Sequence, residues 1–131
     1  MKSARADHAV LYYKDQMFVF GGMSLKQGSS TAVESLTSCE VYSIKDDQWQ
    51  EIPPMANARQ SFSACLFNEK YIFVFGGKVL GEGATLRNMN DSQPFDFVSQ
   101  VEVFEIEKNA WKVINYISEN NKLKVLHPGT Y

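Results

Sequence analysis

The stretch Met17-Phe18-Val19-Phe20-Gly21-Gly22 occurs a second time, with conservative changes, as Ile72-Phe73-Val74-Phe75-Gly76-Gly77, which lies 55 residues further along the chain. Two flanking segments repeat as well. Met1-Lys2-Ser3-Ala4-Arg5 matches Met55-Ala56-Asn57-Ala58-Arg59, and Cys39-Glu40-Val41-Tyr42 matches Val101-Glu102-Val103-Phe104. The offset of this last pair is 62 residues, so the second unit carries a longer segment after its double glycine. Internal repetition of this length predicts a chain built from similar structural units.

Each unit has the pattern of four short strands. Runs of apolar and β-branched residues alternate with polar turn residues, and no helical periodicity competes over a long window. The pattern predicts strands over residues 9–13, 17–20, 39–44 and 48–52 in the first unit, and over 63–67, 71–75, 99–106 and 110–114 in the second. Four antiparallel strands in every unit are typical of the blades of a β-propeller.

The residues at fixed places in each unit resemble the kelch repeat. A double glycine follows a hydrophobic strand, an aromatic residue comes later, and a tryptophan stands seven positions after that aromatic residue. Arg5 and Arg59 lie where the kelch family often has an arginine before its innermost strand. The resemblance covers nearly the whole chain, with Phe104 in place of the usual tyrosine. These signature residues are Gly21, Gly22, Tyr42, Trp49, Arg59, Gly76, Gly77, Phe104 and Trp111.

The resemblance implies an all-β fold of about two four-stranded antiparallel blades of an incomplete kelch-type propeller. We expect residues 1–5 to end a preceding blade junction, 6–54 to form the first blade, 55–114 to form the second blade with a long loop at 78–98, and 115–131 to begin a following blade or a tail. Propellers usually close with about four to eight blades. We therefore expect the remaining blades to come from the same or another chain, and Met1, which aligns with the mid-chain Met55, need not be a true start. Exposed blade edges also predict that the isolated chain assembles or aggregates.

The signature residues have structural explanations. Glycines at strand ends allow positive φ and close approach of the backbone. We expect Trp49 and Trp111 to fill the wedge between adjacent blades, with Tyr42 and Phe104 packed on them. We expect Glu40 and Glu102 to be buried carboxylates that are hydrogen-bonded to nearby backbone rather than catalytic acids.

Composition argues against several classes of function. The net charge of −2, from 13 Lys plus Arg and 15 Asp plus Glu, offers no basic field for nucleic acid. The longest apolar run, Tyr71 to Phe75, is too short to cross a membrane.

The chain has two cysteines, Cys39 and Cys65. So small a number favours reduced thiols in an intracellular protein, with one disulfide bond between the two as the alternative. His8, His127 and these cysteines have no metal-ligand spacing, and Phe62 replaces His8 in the second unit. No phosphate loop, dinucleotide turn or nucleophile elbow is found, so we expect no cofactor, no metal and no enzyme activity.

The longest connections of the two units are expected on one face of the fold. In a four-stranded antiparallel blade, the loop after the second strand emerges on the same side as the connection between blades. Residues 23–38 and 78–98 should therefore be neighbours, and long loops on a rigid scaffold often carry function. Alternatively, the longer loop is a tolerated insertion, and Phe95 and Phe97 simply begin the third strand. Candidate partner-binding residues on these loops, with Arg87 foremost, are Lys26, Lys78, Arg87, Asn90, Asp91 and Phe95.

The leading functional expectation is a non-catalytic protein-protein interaction module that binds partner proteins through these loops. The resemblance to kelch proteins implies scaffold or adaptor roles in the cytoplasm, including association with the cytoskeleton or cilium. A structural subunit of a large cytoskeletal or ciliary assembly is the alternative. A further alternative is part of a kelch-propeller enzyme of the galactose oxidase or sialic acid epimerase type. A formal glycosylation acceptor at Asn90-Asp91-Ser92 is treated as a chance match.

Overall fold

The computed structural model describes residues 1–88, 95–114, 116–119 and 122–125. Every regular element in these residues is a β-strand. The strands, numbered in chain order, are β1 Ala9–Tyr13, β2 Gln16–Phe20, β3 Met23–Leu25, β4 Val33–Ser35, β5 Cys39–Ser43, β6 Gln48–Ile52, β7 Ser63–Phe67, β8 Tyr71–Phe75, β9 Lys78–Leu80, β10 Phe95–Phe97, β11 Val101–Glu105, β12 Ala110–Ile114, β13 Tyr116–Glu119 and β14 Lys122–Val125.

Eight of these strands form two four-stranded antiparallel sheets, which we call blade 1 and blade 2. Blade 1 has the strand order β1-β2-β5-β6, and blade 2 has the matching order β7-β8-β11-β12. The predicted all-β fold of two four-stranded blades is confirmed. All eight predicted blade strands are present, and the third strand of blade 2 begins at Val101 rather than at residue 99.

Tight turns close the first hairpin of each blade. Lys14 and Asp15 both have positive φ, and so do Asn68 and Glu69 at the same place in blade 2. Two consecutive left-handed residues form the turn whose twist matches that of paired antiparallel strands. Asp47 and Asn109 adopt positive φ in the turns of the second hairpins. These short turns leave the opposite side of each blade to the long connections.

The sequence prediction treated the long connections as loops, but each contains a two-stranded ribbon. β3 pairs with β4, and β9 pairs with β10, both antiparallel. The expectation that Phe95 and Phe97 begin the third strand of blade 2 is wrong. Their short apolar alternation pairs with Lys78–Leu80 instead, so they form a separate strand that ends before β11 starts.

The two blades stack face to face through aromatic residues. Phe18 and Phe20 of blade 1 are buried against Phe104 and Trp111 of blade 2. The Phe20 ring meets the Trp111 ring edge-on with centroids 5.6 Å apart, and the Phe18 and Phe104 centroids are 6.2 Å apart. The Trp111 indole N–H also donates to the Pro53 carbonyl at 2.7 Å, which fastens blade 2 to the end of β6. Trp111 thus fills the wedge between the blades.

Trp49 occupies the corresponding place in blade 1, on the side away from blade 2. It packs on Tyr42, with ring centroids 5.1 Å apart. The first strands of the blades also contact each other, and the Tyr13 hydroxyl donates to the Glu69 carbonyl at 3.0 Å. Within the described part of the chain, no helix has the length and hydropathy needed to cross a membrane.

Replacing Phe20 with alanine should be strongly destabilising because its ring is completely buried between the blades. Removal of a buried phenylalanine ring typically costs about 3 to 5 kcal/mol. Phe97→Ala is the matched control because that ring is largely exposed, and we expect it to change stability by less than about 0.5 kcal/mol. Urea unfolding followed by tryptophan fluorescence measures both values. Equal losses in the two variants would contradict the proposed packing between blades.

Candidate functional site

The connection between the blades, residues 53–62, is held by a buried ion pair. The Arg59 guanidinium and the Glu102 carboxylate meet at 2.7 Å, and neither side chain is exposed to solvent. Arg59 also donates to the carbonyls of Gly76 at 3.0 Å and Gln100 at 2.9 Å. Glu102 accepts further bonds from the backbone N–H groups of Ala56 and Asn57. The pair therefore ties the connection to the end of β8 and to β11.

Blade 1 contains the same arrangement. Arg5 and Glu40 meet at 2.8 Å, and Glu40 accepts from the Lys2 N–H at 2.6 Å. Arg5 donates to the carbonyls of Gly21 at 2.9 Å and Ser38 at 2.8 Å. Both glutamates are thus buried and bonded to backbone, as the sequence indicates. The sequence pattern does not predict that the arginine is the partner, although one arginine and one glutamate recur at matching places in both units.

The double glycine of blade 1 lets the connection lie directly against the sheet. The Gly22 N–H donates to the Arg59 carbonyl at 2.9 Å. A Cβ on Gly22 would lie 2.5 Å from the Ala6 carbonyl oxygen, and one on Gly21 would lie 2.7 Å from the Arg59 carbonyl oxygen. Both glycines also have positive φ. No larger residue fits here without moving backbone.

The two ribbons stand side by side next to this connection. We call their surface the loop face and define it as residues 23–38, 78–88 and 95–98. Val33 N–H donates to the Ala84 carbonyl at 3.0 Å, and Leu86 N–H donates to the Thr31 carbonyl at 2.9 Å. The two long connections are therefore neighbours, as the topology predicted.

The predicted binding residues do not form a single cluster. Lys78 lies on β9 with its ammonium nitrogen 5.2 Å from the centre of the Phe95 ring, so these two residues are brought together. Lys26 and Arg87 are exposed on the loop face. Asn90 and Asp91 lie outside the described residues.

Phe97, which the sequence pattern also allows at the start of a blade strand, is a further candidate on the loop face. Its side chain is 81% exposed, and its ring meets the exposed Phe95 ring edge-on with centroids 5.2 Å apart. Leu25 and Leu86 add further exposed apolar groups on the same face. The alternation of Phe95 and Phe97 around Asp96 was the available signal, because it places both rings on one side of a strand.

A groove of about 410 Å³ lies beside Phe97. Its walls come from the inter-blade connection and from the end of the β9–β10 ribbon. The Asn57 side-chain amide donates to the Gln100 side-chain oxygen at 2.7 Å along this groove. The groove is lined by Ala56, Asn57, Ala58, Val79, Phe97, Val98, Ser99 and Gln100.

The described titratable side chains were compared with the requirements of a metal site and of a reactive thiol. No group of three or more His, Cys, Asp and Glu residues there could hold a metal ion. Cys39 and Cys65 are both free thiols. Burial raises the pKa of the Cys39 thiol to about 12. Burial and the nearby Arg5 charge lower the pKa of His8.

Comparisons with known proteins agree with this architecture. A family model described as the Kelch motif matches residues 4–56. The chain is 29% identical to kelch repeat and BTB domain-containing protein 2 of ectromelia virus (strain Moscow), over 96% of this chain and 20% of that protein. It is 26% identical to alpha-scruin of Limulus polyphemus, over 91% of this chain and 11% of that protein. It is 27% identical to human kelch-like protein 15, over 88% of this chain and 17% of that protein.

Among solved structures, that of YjhT is similar in fold. It superposes with a TM-score of 0.55 and 16% sequence identity, covering 92% of this chain and 33% of that one. The chain spans a fifth or less of the length of the curated relatives it matches. The likeness to YjhT shows the fold, which is that of two blades of an incomplete propeller.

The burial of Cys39 predicts a pH effect on stability. In the unfolded chain this thiol ionises near its ordinary pKa of 9.0, whereas the folded chain keeps the proton up to about pH 12. Above pH 9 the folded state therefore binds more protons than the unfolded state, so the free energy of unfolding falls as pH rises. Urea unfolding from pH 8 to pH 10.5 should show a shallower decrease for Cys39→Ser than for the parent chain. Identical slopes would contradict the burial of this thiol.

Proposed function

This chain belongs to the kelch-repeat proteins, and we propose that it is a non-catalytic protein-interaction module whose partners bind the loop face. The observation that carries the proposal is the exposed pair of aromatic rings at Phe95 and Phe97, with the Lys78 ammonium against the first of them. Aromatic residues on a rigid surface contribute large contact areas at small entropic cost, and they dominate many interfaces.

The loop face has the composition of an interface with a partner protein. It combines exposed apolar side chains at Leu25, Leu86 and Phe97 with exposed cations at Lys26 and Arg87. Apolar anchors with a surrounding polar rim are the usual anatomy of protein interfaces. The groove beside Phe97 adds a concave surface that a partner side chain can enter.

The buried acidic residues of the two blades support a binding role rather than a catalytic one. The buried carboxylates of Glu40 and Glu102 are each engaged by an arginine and by backbone N–H groups, so they support the fold. Similarity to kelch-repeat proteins, scruin among them, supports a protein-interaction or cytoskeletal role. We assign the chain to the cytoplasm on the same basis, as an adaptor or scaffold.

A structural subunit of a large assembly is the second candidate. The observation that favours it is the exposure of apolar residues on the outer sides of the two blades, including Tyr12 on blade 1 and Phe75 on blade 2. A subunit of this kind would be joined to its neighbours through the sides of its blades, whereas a receptor would use the loop face.

Site-specific photocrosslinking tests the leading proposal. Replacement of Phe97 by p-benzoylphenylalanine keeps an aromatic ring at the loop face and should give adducts of discrete mass in extracts of the source cells. The matched control carries the crosslinker at Ile44, an exposed apolar residue in the turn on the opposite side of blade 1. Phe97→Ala should weaken capture of the same partner about 30-fold, since loss of an interface hot spot costs about 2 kcal/mol.

Two results would count against partner binding at the loop face. One is a set of adducts at Ile44 equal to those at Phe97. The other is unchanged affinity of the captured partner for the Phe97→Ala chain.

A further inference from the structure

Residues 5–8, which we call the entry segment, lead into β1 and join two other parts of the structure. Ala6 exchanges backbone hydrogen bonds with Met23, the first residue of β3, at 3.0 and 2.8 Å. The Asp7 carbonyl accepts the N–H of Ser61, which belongs to the connection between the blades, at 3.0 Å. The entry segment therefore links blade 1 to the β3–β4 ribbon of the loop face and to the connection.

The backbone of the entry segment adopts a conformation that its contacts maintain. Asp7 has a φ of 52°, in the left-handed region that residues with a Cβ seldom adopt. The segment also lies directly on the double glycine of blade 1, where a Cβ on Gly22 would lie 2.9 Å from the His8 Cβ. Residues in this region keep their conformation where the surrounding structure holds them. Loss of the surrounding contacts therefore allows the entry segment to open.

The connection between the blades repeats this arrangement with one chemical difference. Gln60 exchanges two backbone hydrogen bonds with Lys78, the first residue of β9, as Ala6 does with the first residue of β3. At the next position but one after Gln60 stands Phe62, where the entry segment has His8. The two segments thus make matching bonds, but the entry segment carries a titratable ring at this place.

An arginine lies beside the ring in each segment. In the connection, the Arg59 guanidinium carbon lies 5.9 Å from the centre of the Phe62 ring. An uncharged aromatic ring attracts a cation over its face. In the entry segment the cation is Arg5, whose side chain is completely buried and whose charge acts on His8. A neutral imidazole is compatible with this neighbour, whereas a protonated one is a second cation that Arg5 repels.

One ring nitrogen of His8 is buried without a partner. Its Nδ1 is closed to solvent and has no hydrogen bond within the described part of the chain. In the neutral ring with the proton on Nε2, this nitrogen is a bare acceptor, whereas in the protonated ring it carries an N–H. A charged N–H without an acceptor is costly to bury. The atom is already enclosed, so this cost does not depend on any residue before the entry segment.

The charged groups that act on His8 within the described residues are Arg5 and Asp7, both from its own segment. Burial and the Arg5 charge lower the pKa of His8 and outweigh the Arg5 carbonyl and the Asp7 carboxylate, which favour the proton. The stabilisation that neutral His8 provides is therefore complete above its ordinary pKa of 6.5 and is lost as pH falls below it. The adjoining residues of other elements are uncharged, and they are Gly22, Met23 and Ser61.

We propose that the entry segment is an acid-sensitive latch of the loop face. While His8 is neutral, the segment holds β3 and the connection in place. A proton that binds Nδ1 from solvent places a second cation beside Arg5 and an N–H on an enclosed atom, so it favours the open segment, in which water solvates the ring. The backbone bonds from the segment to β3 and to the connection then break, whereas those between the connection and β9 stay closed. The inference does not require that a partner binds the loop face.

Amide hydrogen exchange of the full 131-residue chain, followed by NMR from pH 7.5 to pH 5.0, tests the latch. Protection factors at Ala6, Met23 and Ser61 should fall by about 3- to 30-fold, the upper value being the most that one group with an ordinary pKa of 6.5 contributes over this range. Gln60 and Lys78 are the internal controls, because they make the matching bonds beside Phe62, and their protection should change by less than about twofold. The range ends above the ordinary pKa of carboxylates, which is about 4.

The variant His8→Phe is the matched control because phenylalanine stands at this place in the connection. Its entry-segment amides should keep the same protection at pH 5.0 as at pH 7.5. NMR titration of the His8 ring in the parent chain follows the same proton without a substitution and should give a midpoint below pH 6.5.

Four results would overturn the proposal. They are unchanged protection of the entry-segment amides at pH 5.0, an equal loss at Gln60 and Lys78, a loss that persists in His8→Phe, and a ring midpoint at or above pH 6.5.

Discussion

The buried ion pair between Arg59 and Glu102 is the interaction on which the rest of the structure depends. Burying two charges costs several kcal/mol per ion, and their mutual attraction offsets this cost when further hydrogen bonds support both groups. The arginine donates to the Gly76 and Gln100 carbonyls, and two backbone N–H groups donate to the glutamate, whereas the buried Arg59 Nε has no partner in the described residues. These bonds come from the connection, the end of β8 and the strand β11. The pair therefore fixes the position of the connection relative to blade 2.

From this pair a continuous set of hydrogen bonds leads to the surface. The Arg59 carbonyl accepts the Gly22 N–H of blade 1, so the same residue joins both blades. Gln60, the next residue, exchanges backbone hydrogen bonds with Lys78 at 2.9 and 3.0 Å. Its side chain also accepts from the Ser35 hydroxyl at 3.0 Å. Both ribbons of the loop face are therefore attached to the connection, which holds the exposed Phe95 and Phe97 rings on an ordered base.

The blades could be predicted from the sequence because each blade strand alternates clearly and the units repeat. The ribbons could not be predicted from the sequence. A strand of three residues such as Phe95–Phe97 is too short for its alternation to distinguish it from the start of a neighbouring blade strand. The exposure of Phe97 is likewise a tertiary property, since it follows from pairing with Lys78 rather than from local preference. Arg59 and Glu102 each repeat a residue of the first unit, so the sequence singles out both. Their contact spans 43 residues, so it became visible only in the folded chain.

Hydrogen exchange in an Arg59→Lys chain tests most directly whether this ion pair holds the blades and the loop face together. Lysine keeps the charge but cannot reproduce the forked set of bonds that arginine makes to Gly76, Gln100 and Glu102. The amides of Gly22 and Lys78, which donate to the carbonyls of Arg59 and Gln60, should therefore lose protection together by about 10- to 100-fold. Protection of both amides at the level of the parent chain would contradict this expectation.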